Sequence, residues 1–222
     1  MEIIPAIIPQ SFKDLEHDVL RVAPYVSRVQ VDVMDGHYTP EASWPYNRAD
    51  EVFDEILRGE RSLSQSDTVA YEVDMMVLRP ETQVENWLAA AGVTAVIIHL
   101  ESTTEMRAIL GIAHHAGKEL GIAILPRTPL QLLEKWVSEI DFVQCMGNDK
   151  IGFHGVPLNN RVYDHLSVLR KRYPALTLGV DIGVNLETAP KLVAAGATRL
   201  VSGSAIFKSG DIAATIKQLQ NV

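Results

Sequence analysis

The sequence has little of what covalent cross-linking, secretion or membrane insertion requires. Only one of its 222 residues, Cys145, is a cysteine, so an intramolecular disulfide is excluded and a reducing cytoplasm is the expected location. No apolar run approaches the roughly 20 residues that a membrane-spanning helix needs. The opening segment, MEIIPAIIPQ, has an acidic second residue and no basic region, which argues against a secretory signal.

Positive charge is also scarce. Lysine and arginine total 20 against 28 aspartates and glutamates, which gives a formal net charge of −8 at pH 7. Nucleic acids and anionic membranes are bound through basic faces, so neither is expected as a partner. A small phosphorylated ligand remains compatible with this charge, because backbone N–H groups at a helix N-terminus can hold phosphate.

The sequence does contain an alternation of short apolar runs and longer amphipathic stretches. Several of the apolar runs are nearly continuous in Val, Ile and Leu, which is typical of strands that are covered on both faces. These eight predicted strands are Ile3–Ile8, Val26–Val33, Ala70–Val77, Ala95–His99, Gly121–Leu125, Phe142–Met146, Leu176–Val180 and Arg199–Ser202.

The stretches between the runs have apolar residues at helical spacing. Ser11 is a residue type that begins helices, while Gly117 and Gly196 occur where helices should end. Eight strand–helix units without a break in composition predict a single (β/α)8 TIM barrel domain over residues 1–222. An open, doubly wound sheet is the alternative. In a barrel of this kind the active site lies at the carboxyl ends of the strands.

Three of the predicted strands carry an aspartate near that end, namely Asp32, Asp74 and Asp181. Period-two alternation places Asp32 on the same strand face as Gln30 and Met34. A carboxylate inside a barrel must be paired, protonated or bound to a metal. Three such charges repel one another and folding does not require them, which favours a metal site, a proton-transfer role, or both. The alternative for Asp32 is that it merely caps a loop or bonds to a neighbouring backbone group.

The loops after the seventh and eighth predicted strands are rich in small residues. Gly183 follows the seventh strand, and Gly203 and Ser204 follow the eighth. Glycines at these loops let backbone amides approach an anion, so the pattern predicts a phosphate site. Plain turn glycines are the alternative. Two other residues are of interest: Cys145 is predicted to be a buried thiol, and His99 either lines the mouth of the barrel or packs in its core.

Five motifs together resemble the ribulose-phosphate 3-epimerase family, one of the ribulose-phosphate-binding barrels, across nearly the whole chain. They are VDVMDGHYTP at Val31–Pro40, LPRTPL at Leu125–Leu130, GFHG at Gly152–Gly155, VDIGVN at Val180–Asn185 and SGSAIF at Ser202–Phe207. The first motif is highly specific, whereas the last is shared by several phosphate-binding barrels.

The resemblance implies an isomerase of pentose phosphate metabolism that inverts C3 of a phosphorylated ketopentose, as between ribulose 5-phosphate and xylulose 5-phosphate. By that resemblance Asp32 and Asp181 are the acid and base on opposite faces of the substrate and act through a cis-enediolate. It also implies a homo-oligomer and no organic cofactor. The substrate-binding and phosphate-binding residues it implies are Met34, Met76, Met146, Gly155, Gly183, Gly203 and Ser204.

The sequence departs from the family at its metal ligands. The family binds a divalent metal through two histidines and the two catalytic aspartates, but the histidine positions here hold Gln30 and Asp74. Loss of two imidazoles disfavours zinc. The remaining set of Gln30, Asp32, Asp74 and Asp181 is all oxygen, which suits a hard ion such as magnesium or manganese.

Two alternative functions remain open at this point. One is another sugar-phosphate lyase or decarboxylase of the same superfamily, although those enzymes carry a D-x-K-x-x-D element and this sequence has D-V-M-D without the lysine. The other is a non-catalytic barrel that binds a sugar phosphate, which the substituted residues Gln30 and Asp74 favour.

Overall fold

The eight apolar runs form the strands of a closed parallel barrel. The structure is a computed structural model that describes residues 1–48, 50–153 and 155–222. Its strands are β1 Glu2–Ile7, β2 Arg28–Met34, β3 Ala70–Met76, β4 Val93–His99, β5 Glu119–Ile124, β6 Phe142–Met146, β7 Thr177–Asp181 and β8 Arg199–Ser202. They are hydrogen-bonded in sequence order, and β8 closes onto β1. The predicted (β/α)8 barrel is therefore confirmed, and the open sheet is excluded.

Amphipathic helices connect the strands. They are α1 Phe12–Val22, α2 Glu51–Leu57, α3 Val84–Ala89, α4 Met106–Ala116, α5 Gln131–Glu134, α6 Arg161–Arg172, α7 Ala189–Ala195, α8 Ser204–Phe207 and α9 Ile212–Gln220. The Ser11 side chain accepts a hydrogen bond from the Asp14 amide, which confirms the predicted start of α1, and Gly117 and Gly196 end α4 and α7. In the described part of the chain no helix is both long and apolar enough to cross a membrane.

Contacts between Cα atoms group the chain into two compact units, residues 6–120 and residues 1–5 with 121–222. Within the first unit β2 and β3 pair along their whole length, which sets Asp32 beside Asp74. Within the second unit β6 and β7 pair so that Met146 lies beside Asp181. The expectation of one domain over the whole chain stays a prediction.

The segment between β2 and β3 folds over an aromatic cluster. Trp44 is completely buried and lies 5.5 Å from the ring of Phe12, 5.7 Å from Phe53 and 6.1 Å from Trp87, measured between ring centroids. Tilted and edge-on aromatic contacts of this length are favourable. They fix the return of the chain from the end of β2, because Trp44 stands only ten residues after Met34.

A charged network lies in the first half of β2 and β3. The Glu72 side chain is fully buried, and its carboxylate accepts a hydrogen bond of 3.4 Å from Arg28 Nη1. The same nitrogen donates to Glu119 over 2.8 Å. The buried glutamate is thereby paired with a cation, as a buried charge must be.

Candidate active site

Strand β2 carries Gln30, Asp32 and Met34 on one face, as the alternation predicts, and all three are buried. Gln30 Nε2 donates a hydrogen bond of 2.7 Å to Asp32 Oδ1. Because a carboxylate needs a donor, the amide nitrogen faces Asp32 and the amide oxygen must face elsewhere. Gln30 Oε1 is buried and has no hydrogen-bond partner among the described residues. A buried acceptor in this state calls for a donor or a cation.

Ser43 fixes the carboxyl end of β2. Its hydroxyl donates to the Asp32 carbonyl and accepts from the Met34 amide, each over 2.9 Å, and the residue is fully buried. Analysis of the sequence missed this residue. Serine is common in loops, and nothing in its spacing from Asp32 signals that the chain returns to the strand.

Strand β3 presents Asp74 next to Asp32, and β4 presents His99 on the other side of it. His99 Nε2 lies 3.1 Å from Asp74 Oδ1, and both side chains are completely inaccessible to solvent. The ring of Tyr38, from the loop after β2, lies 5.4 Å from the His99 ring. Of the two interpretations left open for His99, the structure supports packing inside the protein, against Asp74.

Asp181 ends β7 in an unusual backbone turn. Its Oδ1 accepts a hydrogen bond of 2.7 Å from the amide of the next residue, Ile182, whose φ is 74°. This left-handed conformation is strained for a β-branched residue. Gly147, which follows β6, donates from its amide to the Asp181 carbonyl over 2.6 Å. The turn therefore holds both the main chain and the carboxylate of Asp181.

The three aspartates come together. Asp32, Asp74 and Asp181 are all buried, and each offers one carboxylate oxygen to a group whose members lie within 4.8 Å of one another. In each residue the Oδ1 atom has a protein donor, which is Gln30 for Asp32, His99 for Asp74 and the Ile182 amide for Asp181. A cluster of this size and composition can hold a divalent cation.

The residues of the predicted phosphate site lie on two linked loops. Gly183 has a φ of 76°, and a Cβ there would lie 2.9 Å from the Leu158 backbone nitrogen, so only glycine fits. Gly203 immediately precedes α8, which begins at Ser204. The Ser202 hydroxyl donates to the Val184 carbonyl over 3.0 Å and joins the loop after β8 to the loop after β7. Binding of phosphate by these groups stays a prediction.

The remaining predicted phosphate contact, Gly155, lies apart from that pair of loops in the sequence. Gly155 has a φ of 71°, and among the described residues, its chain neighbours apart, no atom lies within 4 Å of the position its Cβ would take. The preceding residue, His154, which belongs to the GFHG motif, lies outside the described residues. The role of Gly155 therefore stays a prediction as well.

The methionines and the cysteine are buried at the strand ends. Met34 and Met76 lie side by side in the register of β2 and β3, and Met146 ends β6. All three are at most 2% exposed. Cys145 is fully buried, and burial raises the pKa of its thiol to about 12, which confirms the predicted buried thiol.

Comparison with known proteins identifies the family. The sequence model of the ribulose-phosphate 3-epimerase family matches residues 2–207. The chain belongs to the ribulose-phosphate 3-epimerase family. This family member is 28% identical over 221 residues to the ribulose-phosphate 3-epimerase of Schizosaccharomyces pombe, covering 99% of this chain and 92% of that protein. It is 28% identical over 224 residues to the Escherichia coli K12 enzyme of the same name, with 99% and 94% covered.

The epimerase-family chain also resembles solved barrels of other names. The 3-hexulose-6-phosphate synthase of Salmonella typhimurium superposes with a TM-score of 0.72, covering 100% of this chain and 97% of that chain at 14% identity. At that identity the likeness concerns the fold alone. The resemblance inferred from the five motifs is confirmed, and the alternative of a lyase gains only a shared fold from this match.

Proposed function

We propose that this chain epimerises C3 of a phosphorylated pentulose, interconverting ribulose 5-phosphate and xylulose 5-phosphate, with Asp32 and Asp181 as the two proton-transferring groups. As a member of its family the chain is an epimerase, an enzyme of the isomerase class. The observation that carries the assignment of residues is the buried cluster in which Asp32 and Asp181 each contribute a carboxylate oxygen.

The chemistry needs one ionised and one protonated carboxyl group. One aspartate removes the proton from C3, and the electron pair of the C–H bond moves into an enediolate between C2 and C3. The other aspartate then donates its proton to the opposite face of C3, and the C2 carbonyl re-forms. The two groups have exchanged protonation states at the end, so the reverse reaction uses the same pair in the opposite sense.

The protein holds both groups in place before the substrate arrives. The Gln30 side chain donates to one oxygen of Asp32, and the Ile182 amide donates to one oxygen of Asp181. These hydrogen bonds restrict rotation of the two carboxylates. Met34, Met76 and Met146 are apolar and adaptable, and in our proposal they exclude water from the planar intermediate. Backbone amides at Gly155, Gly183, Gly203 and Ser204 hold the phosphate.

The residues present fit a hard divalent cation. Gln30 Oε1 is a buried oxygen without a hydrogen-bond partner among the described residues. The other oxygen ligands would come from the carboxylates of Asp32, Asp74 and Asp181. An all-oxygen set of this kind favours magnesium or manganese over zinc. When bound, the cation supplies positive charge next to the substrate oxygens on which negative charge develops.

Three broader properties belong to the same proposal. The enzyme works in the cytoplasm, as the single buried cysteine favours. It serves carbohydrate metabolism. It forms a homo-oligomer, for which the support is the family resemblance; size-exclusion chromatography with light scattering tests this last point directly.

The decisive experiment follows epimerisation and exchange at C3 together. Purified protein is incubated with ribulose 5-phosphate in D2O, and xylulose 5-phosphate and deuterium at C3 are measured by NMR, with EDTA or with added Mg2+, Mn2+ or Zn2+. Asp32→Asn and Asp181→Asn should each lower kcat by about 10²–10⁴-fold, because each removes a general acid or base. Asp67→Asn makes the same change on an exposed loop and should leave kcat unchanged.

Three results would contradict the proposal. Wild-type turnover in the Asp32→Asn, Asp181→Asn double variant would eliminate the two-aspartate assignment. Tight binding of the sugar phosphate without any deuterium at C3 would instead identify a non-catalytic binding protein. Carbon–carbon cleavage of the substrate would point to the lyase alternative.

A further inference from the structure

We infer that His99 is a positioning residue, which holds the carboxylate of Asp74 in the orientation by which Asp74 joins the aspartate cluster. The inference rests on the proposed cation-assisted epimerisation, and it adds a residue that acts through Asp74 without itself contacting the substrate. It explains how an aspartate can serve at a position where the family has a histidine.

The first argument is the contact itself. Asp74 Oδ1 and His99 Nε2 are 3.1 Å apart, and neither side chain is exposed to solvent. Because an ionised carboxylate can only accept, Nε2 carries the hydrogen of this bond. Water has no access to either side chain, so this contact restrains the rotation of Asp74 about its side-chain bonds.

The second argument is the like charge beside Asp74. In the register of β2 and β3, Asp74 lies directly beside Asp32. Asp32 has a donor of its own, Gln30, whose amide nitrogen is 2.7 Å from Asp32 Oδ1. His99 and Gln30 have the same role toward the two aspartates. Each donates an N–H to one carboxylate oxygen, His99 to Asp74 and Gln30 to Asp32. Donors of this type around ligating carboxylates orient them for a cation.

The third argument is that His99 cannot easily move. Its carbonyl accepts hydrogen bonds from both the amide and the hydroxyl of Ser102, over 3.0 Å and 2.9 Å. The ring of Tyr38 packs on the imidazole, and the Tyr38 amide donates to Asp35 Oδ1 over 2.9 Å. The other oxygen of Asp35 accepts from the Leu78 amide over 2.8 Å. These contacts fix the imidazole from the loops after β2, β3 and β4.

The test compares three variants with the wild type. His99→Leu removes the donor, His99→Gln keeps an amide N–H at a similar reach, and His115→Gln makes the same exchange on the exposed face of α4. Each metal-free protein is titrated with Mn2+, and free Mn2+ is measured by electron paramagnetic resonance. Unfolding curves and circular dichroism are recorded for every variant, and kcat and KM are measured at saturating Mn2+.

We expect His99→Leu to weaken Mn2+ binding by about 10–100-fold, which is the usual effect of removing a hydrogen-bond partner of a metal ligand. Its kcat should fall while KM for the sugar phosphate changes little, because the predicted phosphate contacts lie on other loops. His99→Gln should stay within about threefold of wild type in both measurements, and His115→Gln should match wild type.

The outcomes separate this inference from the proposed function. Folded His99→Leu that binds Mn2+ and turns over like wild type overturns the inference. Equal losses in His99→Leu and His99→Gln also overturn it, because they reveal a role in packing. If the wild type binds no Mn2+, the proposed cation is refuted. The inference about His99 then depends on kcat alone: a loss in His99→Leu with near wild-type kcat in His99→Gln supports it, and equal values in the two variants overturn it. Should His99→Leu fail to fold, His99→Asn, which is polar but too short to reach Asp74, takes its place.

Discussion

Gly147 is the position at which one added methyl group should harm both stability and activity. It follows β6, its amide donates to the Asp181 carbonyl, and its own carbonyl accepts from the Asn159 amide, each over 2.6 Å. A Cβ at this position would lie 2.0 Å from the carbonyl oxygen of Ile182 and 2.7 Å from Leu158 Cδ1. The first of these atoms belongs to the backbone beside Asp181, so it cannot swing away as the end of a side chain can.

The size of the effect follows from these distances. Real Cβ atoms are essentially never closer than 3.0 Å to another heavy atom, so Gly147→Ala must displace the Ile182 turn by about 1 Å. Overpacking of this kind destabilises by about 1–3 kcal/mol, and we expect the upper end because backbone must move. For a chain of this length a loss of about 3 kcal/mol lowers Tm by roughly 6–12 °C. The proposed function makes Asp181 a proton-transferring group, and a displacement of about 1 Å at such a group lowers kcat by about 100-fold.

Gly111 provides the matched control. It lies within α4, and apart from its chain neighbours and the adjacent helix backbone no atom of the described residues lies within 4 Å of the position of its Cβ. Gly111→Ala should raise stability by about 0.4–1 kcal/mol and leave kcat unchanged, because alanine restricts the unfolded chain and favours helix. Differential scanning calorimetry and the epimerase assay measure both variants. Wild-type Tm and kcat in Gly147→Ala would refute the reasoning from the close approach.

The remaining predictions concern two buried polar or reactive side chains. Ser43→Ala should cost about 1–3 kcal/mol in urea denaturation, because the Met34 amide loses its buried acceptor; an unchanged midpoint would contradict this. Cys145 should resist Ellman's reagent at pH 8 until the protein is unfolded, and rapid labelling of folded protein would disprove its burial. Because burial raises its pKa to about 12 from 9.0, the folded state binds this proton more tightly, so the free energy of unfolding should fall as pH rises above 9.

The strands could be predicted from the sequence because their apolar runs are flanked by polar residues or glycines. The observed bounds of β6 and β8 match the predicted ones, Phe142–Met146 and Arg199–Ser202. Strand β7 was predicted to end at Val180 but continues to Asp181, because a polar residue interrupts the apolar run without ending the strand. Strand β4 begins at Val93, two residues early, because Thr94 interrupts the run in the same way.

The site was predictable only in part. The rule that functional residues follow the carboxyl ends of strands was enough to select Asp32, Asp74 and Asp181. Their donors were not predictable in that role, because a contact such as His99 with Asp74 depends on the register between two strands, which alternation along one strand does not fix. Ser43 was missed for a different reason, since its contact depends on the path of a loop stabilised by Trp44.

The pairing of Glu72 with Arg28 has a consequence for how such a family diverges. Glu72 stands two residues before Asp74 on the same strand, yet its carboxylate is paired locally with Arg28, which it shares with Glu119. The charges of the aspartates near the carboxyl ends of the strands are therefore not needed to balance Glu72. Residues around those aspartates can change without altering the ion pairs in the first half of β2 and β3. In our proposal Gln30 and Asp74 are oxygen ligands of a cation, and a ligand set of this kind is a change that this separation permits.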